Sequence, residues 1–302
     1  MRIAFFGTTE FSLQILKLLL DKKYNIICIY TQPPRKAGRG KKLSFCPVLK
    51  FALDNNLNHQ TPLDFNSDQT LNEFLKFNFD VGIVVAYGMI LPNAILFSPK
   101  LGCFNIHTSL LPRWRGAAPI QRAILANDKI TGVTIIKMVE RLDAGPIVLK
   151  KECIITDNED FGSLEKKLLQ ISKFLVKQLL EKICELQLID QPTVGICYAN
   201  KILKKETKIK WNDTASNINF LIRAFSPSPG AWFEINKERI KILSCKVCSE
   251  EGKPGEILNK SFIICCSEGS LQPQIIQRAG KEKMDLAVFL RGFQFKIGEV
   301  ID

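Results

Sequence analysis

The chain has 302 residues, of which 46% are hydrophobic and 24% charged, a length that suits two domains and a balance that suits buried globular cores. This composition excludes a fibrous or disordered chain, and no uncharged apolar run reaches the roughly eighteen residues of a membrane helix. Lys plus Arg exceed Asp plus Glu by 42 − 30 = 12, and the isoelectric point is about 9.2. Such a charge fits a polyanionic partner such as nucleic acid; a genome rich in A and T enriches lysine in the same way, so charge alone does not decide.

In chain order, Arg2-Ile-Ala-Phe-Phe-Gly7 is a short apolar run ending in glycine, as a buried strand requires. Thr8 or Thr9 can cap a helix with Phe11, Ile15, Leu18 and Leu19 on one face. Ile26–Tyr30 is a second strand, Val81–Ala86 a third after a helix near Asp68–Phe77, and Cys103–His107 and Gly132–Met138 complete the set. Helices fall at Ala117–Ala126 and Phe161–Glu185. Strands alternating with helices predict an α/β fold, a doubly wound and mainly parallel sheet with helices on both faces. Gly7-Thr-Thr-Glu10 lacks the second glycine of a dinucleotide fingerprint, which disfavours NAD.

The pattern changes near residue 190. Leu188–Lys208 holds Pro192, Gly195 and the cations Lys201, Lys204, Lys205 and Lys208, and reads as a linker. The expected organisation is a catalytic domain over 1–189, a linker over 190–208 and a smaller domain over 209–302. After a helix at Ser216–Phe225, strand-like runs at Trp232–Asn236, Arg239–Cys248, Gly255–Leu258, Ser261–Ser267 and Ser270–Ile276 fit a small OB-like β-barrel.

The N-terminus carries no export signal, so a cytoplasmic location is expected, where the ten cysteines stay reduced and mostly buried. Cys245 with Cys248, and Cys265 with Cys266, are the groupings to test for metal. A structural zinc site needs well-spaced pairs or nearby histidines, and both histidines lie far upstream. Core thiols and no metal are the expectation.

Ligands of doubly wound sheets bind beyond the carboxyl ends of the strands. Asn105 and His107 sit at such an end on alternate positions, and Asp143 follows the next strand. A histidine can exchange protons, an aspartate can orient it, and an amide can donate to a developing oxyanion. By residue type alone, a core histidine satisfied by backbone suits the same pattern. Cys103, Thr108 and Ser109 lack the strained G-x-S-x-G turn that exposes a nucleophile. Thr31-Gln-Pro-Pro-Arg-Lys-Ala-Gly-Arg-Gly-Lys-Lys42 carries five cations among turn residues. Arginines can grip phosphates and glycines permit close approach, although a bare charge run is commonly a solvated loop.

Asn105-Ile-His-Thr-Ser-Leu-Leu-Pro-Arg-Trp-Arg-Gly-Ala-Ala-Pro119 resembles the signature of the methionyl-tRNA formyltransferase family. The resemblance extends through Phe6-Gly7-Thr8, the 31–42 loop, Val85–Pro92, Gly132-Val-Thr134, Leu142-Asp143, Ile209-Lys-Trp211 and Ile222-Arg-Ala-Phe225. Ser-Leu-Leu-Pro alone marks the wider folate-formyltransferase superfamily. The Arg-Trp-Arg-Gly-Ala-Ala-Pro continuation, the basic loop and the C-terminal barrel narrow it.

The resemblance implies 10-formyltetrahydrofolate as formyl donor, initiator methionyl-tRNA as acceptor, an OB-like tRNA-binding domain, a monomer, and neither metal nor membrane. It puts Asn105, His107 and Asp143 in catalytic positions. It puts Ser109, Leu110, Leu111 and Pro112 on the folate-binding stretch, and Tyr87, Gly88, Met89, Ile90 and Leu91 near the pterin. Arg39 matches the loop arginine that engages the acceptor end, with Arg35, Lys36, Lys41 and Lys42 beside it. Thr108, Pro34 and Pro146 depart from the usual glycine, aspartate and acidic residue, which puts rate or folate fit in question more than reaction type. The rival readings are a formyltransferase for an amino sugar or glycinamide ribonucleotide, and a non-catalytic RNA-binding protein.

Overall fold

A computed structural model describes residues 1–37 and 42–301. These form two compact units, one of Met1–Pro119, Thr131–Cys153 and Lys167–Asn200, the other of Ile120–Ile130, Ile154–Lys166 and Lys201–Asp302.

The elements up to residue 199 are β1 (Ile3–Gly7), α1 (Glu10–Asp21), β2 (Ile26–Tyr30), β3 (Arg35–Ala37), β4 (Lys42–Ser44), α2 (Pro47–Asp54), β5 (His59–Gln60), α3 (Asp68–Lys76), β6 (Val81–Val85), α4 (Asn93–Leu96), β7 (Cys103–His107), β8 (Arg115–Gly116), α5 (Pro119–Leu125), β9 (Ile130–Lys137), β10 (Ile147–Ile154), α6 (Phe161–Lys182) and β11 (Tyr198–Ala199). Seven of them form one sheet in the order β10-β9-β7-β6-β1-β2-β5. β1 pairs in parallel with β2 and β6, and β6 with β7. β9 runs antiparallel to β7, with His107 opposite Thr134 and Asn105 opposite Ile136. β9 therefore starts beside the carboxyl end of β7 and runs back toward its amino end, and the loop after β9 folds over to place Asp143 beside Asn105.

Local chemistry explains the frame. Thr9 caps α1 through the Ser12 amide, and Ser12 answers through the Thr9 amide, satisfying two donors that helix geometry leaves open. Every residue of β1 and of β6 is buried, as a parallel strand with both faces covered must be. On one face Phe6 stacks on Tyr30 at 4.9 Å and meets Tyr87 edge-on at 5.4 Å, within a cluster that includes Phe65, Phe74, Phe79 and Leu91. Each such aromatic pair adds about 0.5–1.5 kcal/mol beyond area burial, which fixes the root of the β6 loop.

Several expectations need correction. β10, α2 and β5 add to the elements read from the sequence: β5 has two residues, α2 only eight, and β10 is exposed through its middle. The 31–42 segment holds a hairpin rather than a plain loop, with Arg35 opposite Ser44 and Ala37 opposite Lys42.

The second unit carries α7 (Ala215–Phe225), β12 (Ala231–Ile235), β13 (Glu238–Cys248), β14 (Ile264–Cys265), β15 (Ser270–Arg278), β16 (Lys283–Asp285) and α8 (Leu286–Gly292). Its strands make a curled antiparallel sheet in which β13 and β15 pair along most of their length, β13 being bulged between Ile242 and Cys245. The core includes Ile222, Phe233, Ile240, Ile242, Phe262 and Ile276. The Gly255–Leu258 strand does not form: Gly255 has φ of +84°, and only Glu256 and Ile257 make single bridges. Phe262, at φ +58°, shortens the next strand to Ile264–Cys265. β16 is the fifth strand instead.

Cys28, Cys103, Cys153, Cys265 and Cys266 are buried, while Cys184 is exposed. Burial pushes the Cys245 and Cys266 thiols up to about 12, so they are protonated apolar side chains at neutral pH. Among the described residues no group of three or more His, Cys, Asp or Glu is placed to hold a metal ion.

Candidate active site

The candidate site lies at the carboxyl end of β7, against the loop that follows β9. β7 presents Asn105 and His107 on one side, two residues apart. The turn after β9 carries Asp143, whose φ of +46° is a left-handed conformation that aspartate adopts more readily than most residues. The turn is closed by Gly145, where any Cβ would overlap the Lys137 carbonyl.

The Asp143 carboxylate joins these parts. Its Oδ1 accepts from Asn105 Nδ2 at 3.1 Å, and its Oδ2 accepts from the Gly116 amide at 2.8 Å. His107 Nδ1 lies 3.7 Å from Asp143 Oδ2, with both side chains less than a tenth exposed. His107 Nε2 is 2.7 Å from the Trp114 carbonyl oxygen. A carbonyl can only accept, so Nε2 carries the proton and Nδ1 is the nitrogen left to exchange one. Asn105 spends one amide proton on Asp143.

The neighbouring strand-end loops are held as firmly. Thr134 Oγ1 donates to the Ser109 carbonyl at 2.7 Å and accepts from the Leu111 amide at 3.1 Å, which pins Ser109–Pro112 against β9. The Ser109 hydroxyl is buried and donates to the Arg113 carbonyl at 2.6 Å, so it is engaged as a structural donor. Thr8 Oγ1 and Gln32 Nε2 both donate to the Tyr87 carbonyl, at 2.8 and 2.9 Å. Asn93 Nδ2, at the start of α4, reaches Glu140 Oε2 at 3.3 Å and links the end of the loop after β6 to the loop after β9. On those two loops Ile90 is 90% exposed and Leu142 61% exposed. Both leave apolar surface uncovered on those loops.

Arg35 is exposed at the base of the β3–β4 hairpin. Arg39 and Lys41 lie outside the described residues, and of Lys36 and Lys42 only the backbone is described. The structure adds groups that sequence reasoning gave no role: the Trp114 carbonyl, the Gly116 amide, Thr134 and Gln191. The two backbone groups have no residue-type signature, and Gln191 stands far away in sequence.

The residues fall on known patterns. A profile described as "Formyl transferase" matches residues 1–180, and one described as "Formyl transferase, C-terminal domain" matches residues 201–294. A protein of Parvibaculum lavamentivorans named methionyl-tRNA formyltransferase is 42% identical over 309 residues, covering all of both chains. The chain belongs to the methionyl-tRNA formyltransferase family. A protein of the same name from Ruegeria pomeroyi is 43% identical over 293 residues, covering 97% of each chain. Among solved structures, WlaRD, a sugar 3N-formyl transferase, matches with a TM-score of 0.66 at 21% identity, covering 93% of this chain and 99% of that one. At that identity the likeness shows the shared fold. Family membership accounts for a mixed α/β sheet followed by a curled antiparallel sheet in one chain.

Proposed function

We propose that this protein transfers the formyl group of 10-formyltetrahydrofolate to the α-amino group of methionyl initiator tRNA, with Asn105, His107 and Asp143 as its catalytic residues. The observation that carries the chemistry is the Asp143 carboxylate set between Asn105, the Gly116 amide and His107. The relatives' shared name, over their full length, supplies the acceptor. The folate supplies a formyl group on nitrogen. The exposed Ile90 and Leu142 and the pinned Ser109–Pro112 stretch suit a flat heteroaromatic ring with a polar edge. Tyr87, Gly88, Met89, Ile90 and Leu91 would border the pterin.

As the amine adds to the formyl carbon, negative charge grows on the formyl oxygen. The second amide proton of Asn105 and a proton on His107 Nδ1 stabilise that charge, without needing to reorganise. Asp143 holds the Asn105 amide by hydrogen bond and faces the imidazolium with its own charge. The proton released by the amine passes through this group to the departing folate nitrogen as the carbon–nitrogen bond breaks.

In this reading residues 1–189 form the catalytic domain, 190–208 a connecting segment and 209–302 the tRNA-binding domain, acting as a cytoplasmic monomer. No helix among the described residues is long and apolar enough to cross a membrane. The deciding assay incubates the protein with charged initiator tRNA and 10-formyltetrahydrofolate, with an amino sugar nucleotide and glycinamide ribonucleotide as alternative amines. Formylmethionyl-tRNA is the expected product; formylation of an alternative amine with none of the tRNA would reject the assignment.

Arg35, Lys36, Arg39, Lys41 and Lys42 are assigned to the tRNA. A folate tail offers a few carboxylates, whereas an acceptor stem offers a ladder of phosphates that five closely spaced cations match better. Arg39→Ala is expected to weaken productive use of charged tRNA by about 1–3 kcal/mol, the scale of a charge-assisted contact. It should also reduce the salt slope of tRNA binding by roughly one and leave folate affinity unchanged. Measuring both substrates on the same variant decides it: lost folate affinity with tRNA use spared reassigns the loop.

A further inference from the structure

Gln191 stands in a stretch whose composition reads as a linker, yet its side chain is woven into the site. Nε2 donates to the carbonyl oxygens of Asp143 at 2.7 Å and Gly145 at 2.8 Å. Oε1 accepts from Arg115 Nε at 3.2 Å and Nη2 at 2.7 Å, the guanidinium being buried. A primary amide has two protons and two lone pairs, and all four are used here. The side chain therefore has one satisfied orientation.

The consequence falls on Asp143. A left-handed non-glycine residue is strained and persists only where its surroundings hold it. Gln191 grips the carbonyls at both ends of the Asp143-Ala-Gly145 turn. Through Arg115 it also grips the residue before Gly116, whose amide donates to Asp143 Oδ2. The same stretch of chain braces β8 further: Arg115 N donates to the Cys197 carbonyl at 3.0 Å, and Ala117 N to the Ala199 carbonyl at 2.8 Å. Gly116, at φ +120°, brings its α-carbon so close to Ala199 that a Cβ would sit 2.8 Å from the carbonyl oxygen. One amide thus ties the backbone that carries the carboxylate to the strand that supplies its donor.

We propose that Gln191 is a positioning residue for formyl transfer, fixing the Asp143 carboxylate against Asn105 and His107. The proposal rests on the catalytic reading of Asp143. Gln191→Glu keeps the size and the pairing with Arg115 but turns a carboxylate toward two carbonyl oxygens. Gln191→Met fills nearly the same space with no hydrogen bond, and keeps the test open if the glutamate disturbs folding. In steady-state formylation by the full chain, either variant is expected to lose roughly 10–100-fold in kcat, the scale of a misplaced catalytic group. KM for charged tRNA and for 10-formyltetrahydrofolate stays within about twofold, since neither ground-state contact is touched. In an Asp143→Ala background the Gln191 substitution brings no further loss, because its effect runs through Asp143. Wild-type kcat in a folded Gln191 variant, or a loss that adds in full to that of Asp143→Ala, overturns the positioning role while leaving Asp143 catalytic. Full turnover in Asp143→Ala alone overturns the catalytic reading, and this proposal with it.

Discussion

His107→Ala is expected to lower the rate of formyl transfer by roughly 10²–10³-fold, the usual cost of losing a general acid–base or an oxyanion donor. With Nε2 committed to the Trp114 carbonyl at 2.7 Å, Nδ1 is the atom placed to take a proton and give it back, 3.7 Å from Asp143 Oδ2. Alanine removes both functions. It also removes the His107 hydrogen bond to the Trp114 carbonyl and opens a small cavity, so thermal stability should fall moderately. The cations assigned to the tRNA are elsewhere in the sequence, and tRNA affinity should stay close to normal. Single-turnover formylation, run beside a tRNA-binding titration, separates the two effects. A folded variant retaining more than half the normal rate would remove His107 from the mechanism.

Asp143→Asn is the second large effect, with an expected loss of roughly 10²–10⁴-fold in kcat. The substitution preserves shape but not hydrogen-bonding polarity. Asp143 uses one oxygen to accept from Asn105 and the other to accept from the Gly116 amide. Asparagine offers one acceptor and one donor, so one of these contacts becomes donor against donor. The negative charge facing His107 is lost as well, which removes the support for an imidazolium. Folate and tRNA should still bind, making the change one of kcat rather than KM. Asp143→Asn turning over within about threefold of wild type, a gap of about 0.7 kcal/mol, would show that the carboxylate charge is not needed.

Much of the frame was legible in the sequence because it depends on local rules. Continuous apolar runs at 3–7 and 81–85 mark strands buried on both faces, and the alternate positions of Asn105 and His107 put them on one side of a strand end. Thr9 and the spacing of Phe11, Ile15 and Leu19 mark α1. Elsewhere the local signal failed for physical reasons. Gly255–Leu258 has the composition of a strand, but Gly255 takes a positive φ that ends the ladder. β5 is two residues long and exists because β2 offers it an edge, with nothing in His59-Gln60 to announce it.

The residue types therefore decided the chemistry available to this protein: an amide, an imidazole and a carboxylate at or beyond strand ends, with a basic segment over 31–42 and a second, β-rich unit. The tertiary structure decided how that chemistry is arranged. The loop after β9 brings Asp143 to Asn105 across 38 residues of sequence. Gln191 reaches Asp143 across 48 residues and Arg115 across 76. Hydropathy and spacing report what a residue does within its own helix or strand, over a few positions. A hydrogen bond to a backbone carbonyl depends only on where the fold delivers that carbonyl, so the tautomer of His107 and the hold on Asp143 exist only once the chain has closed on itself.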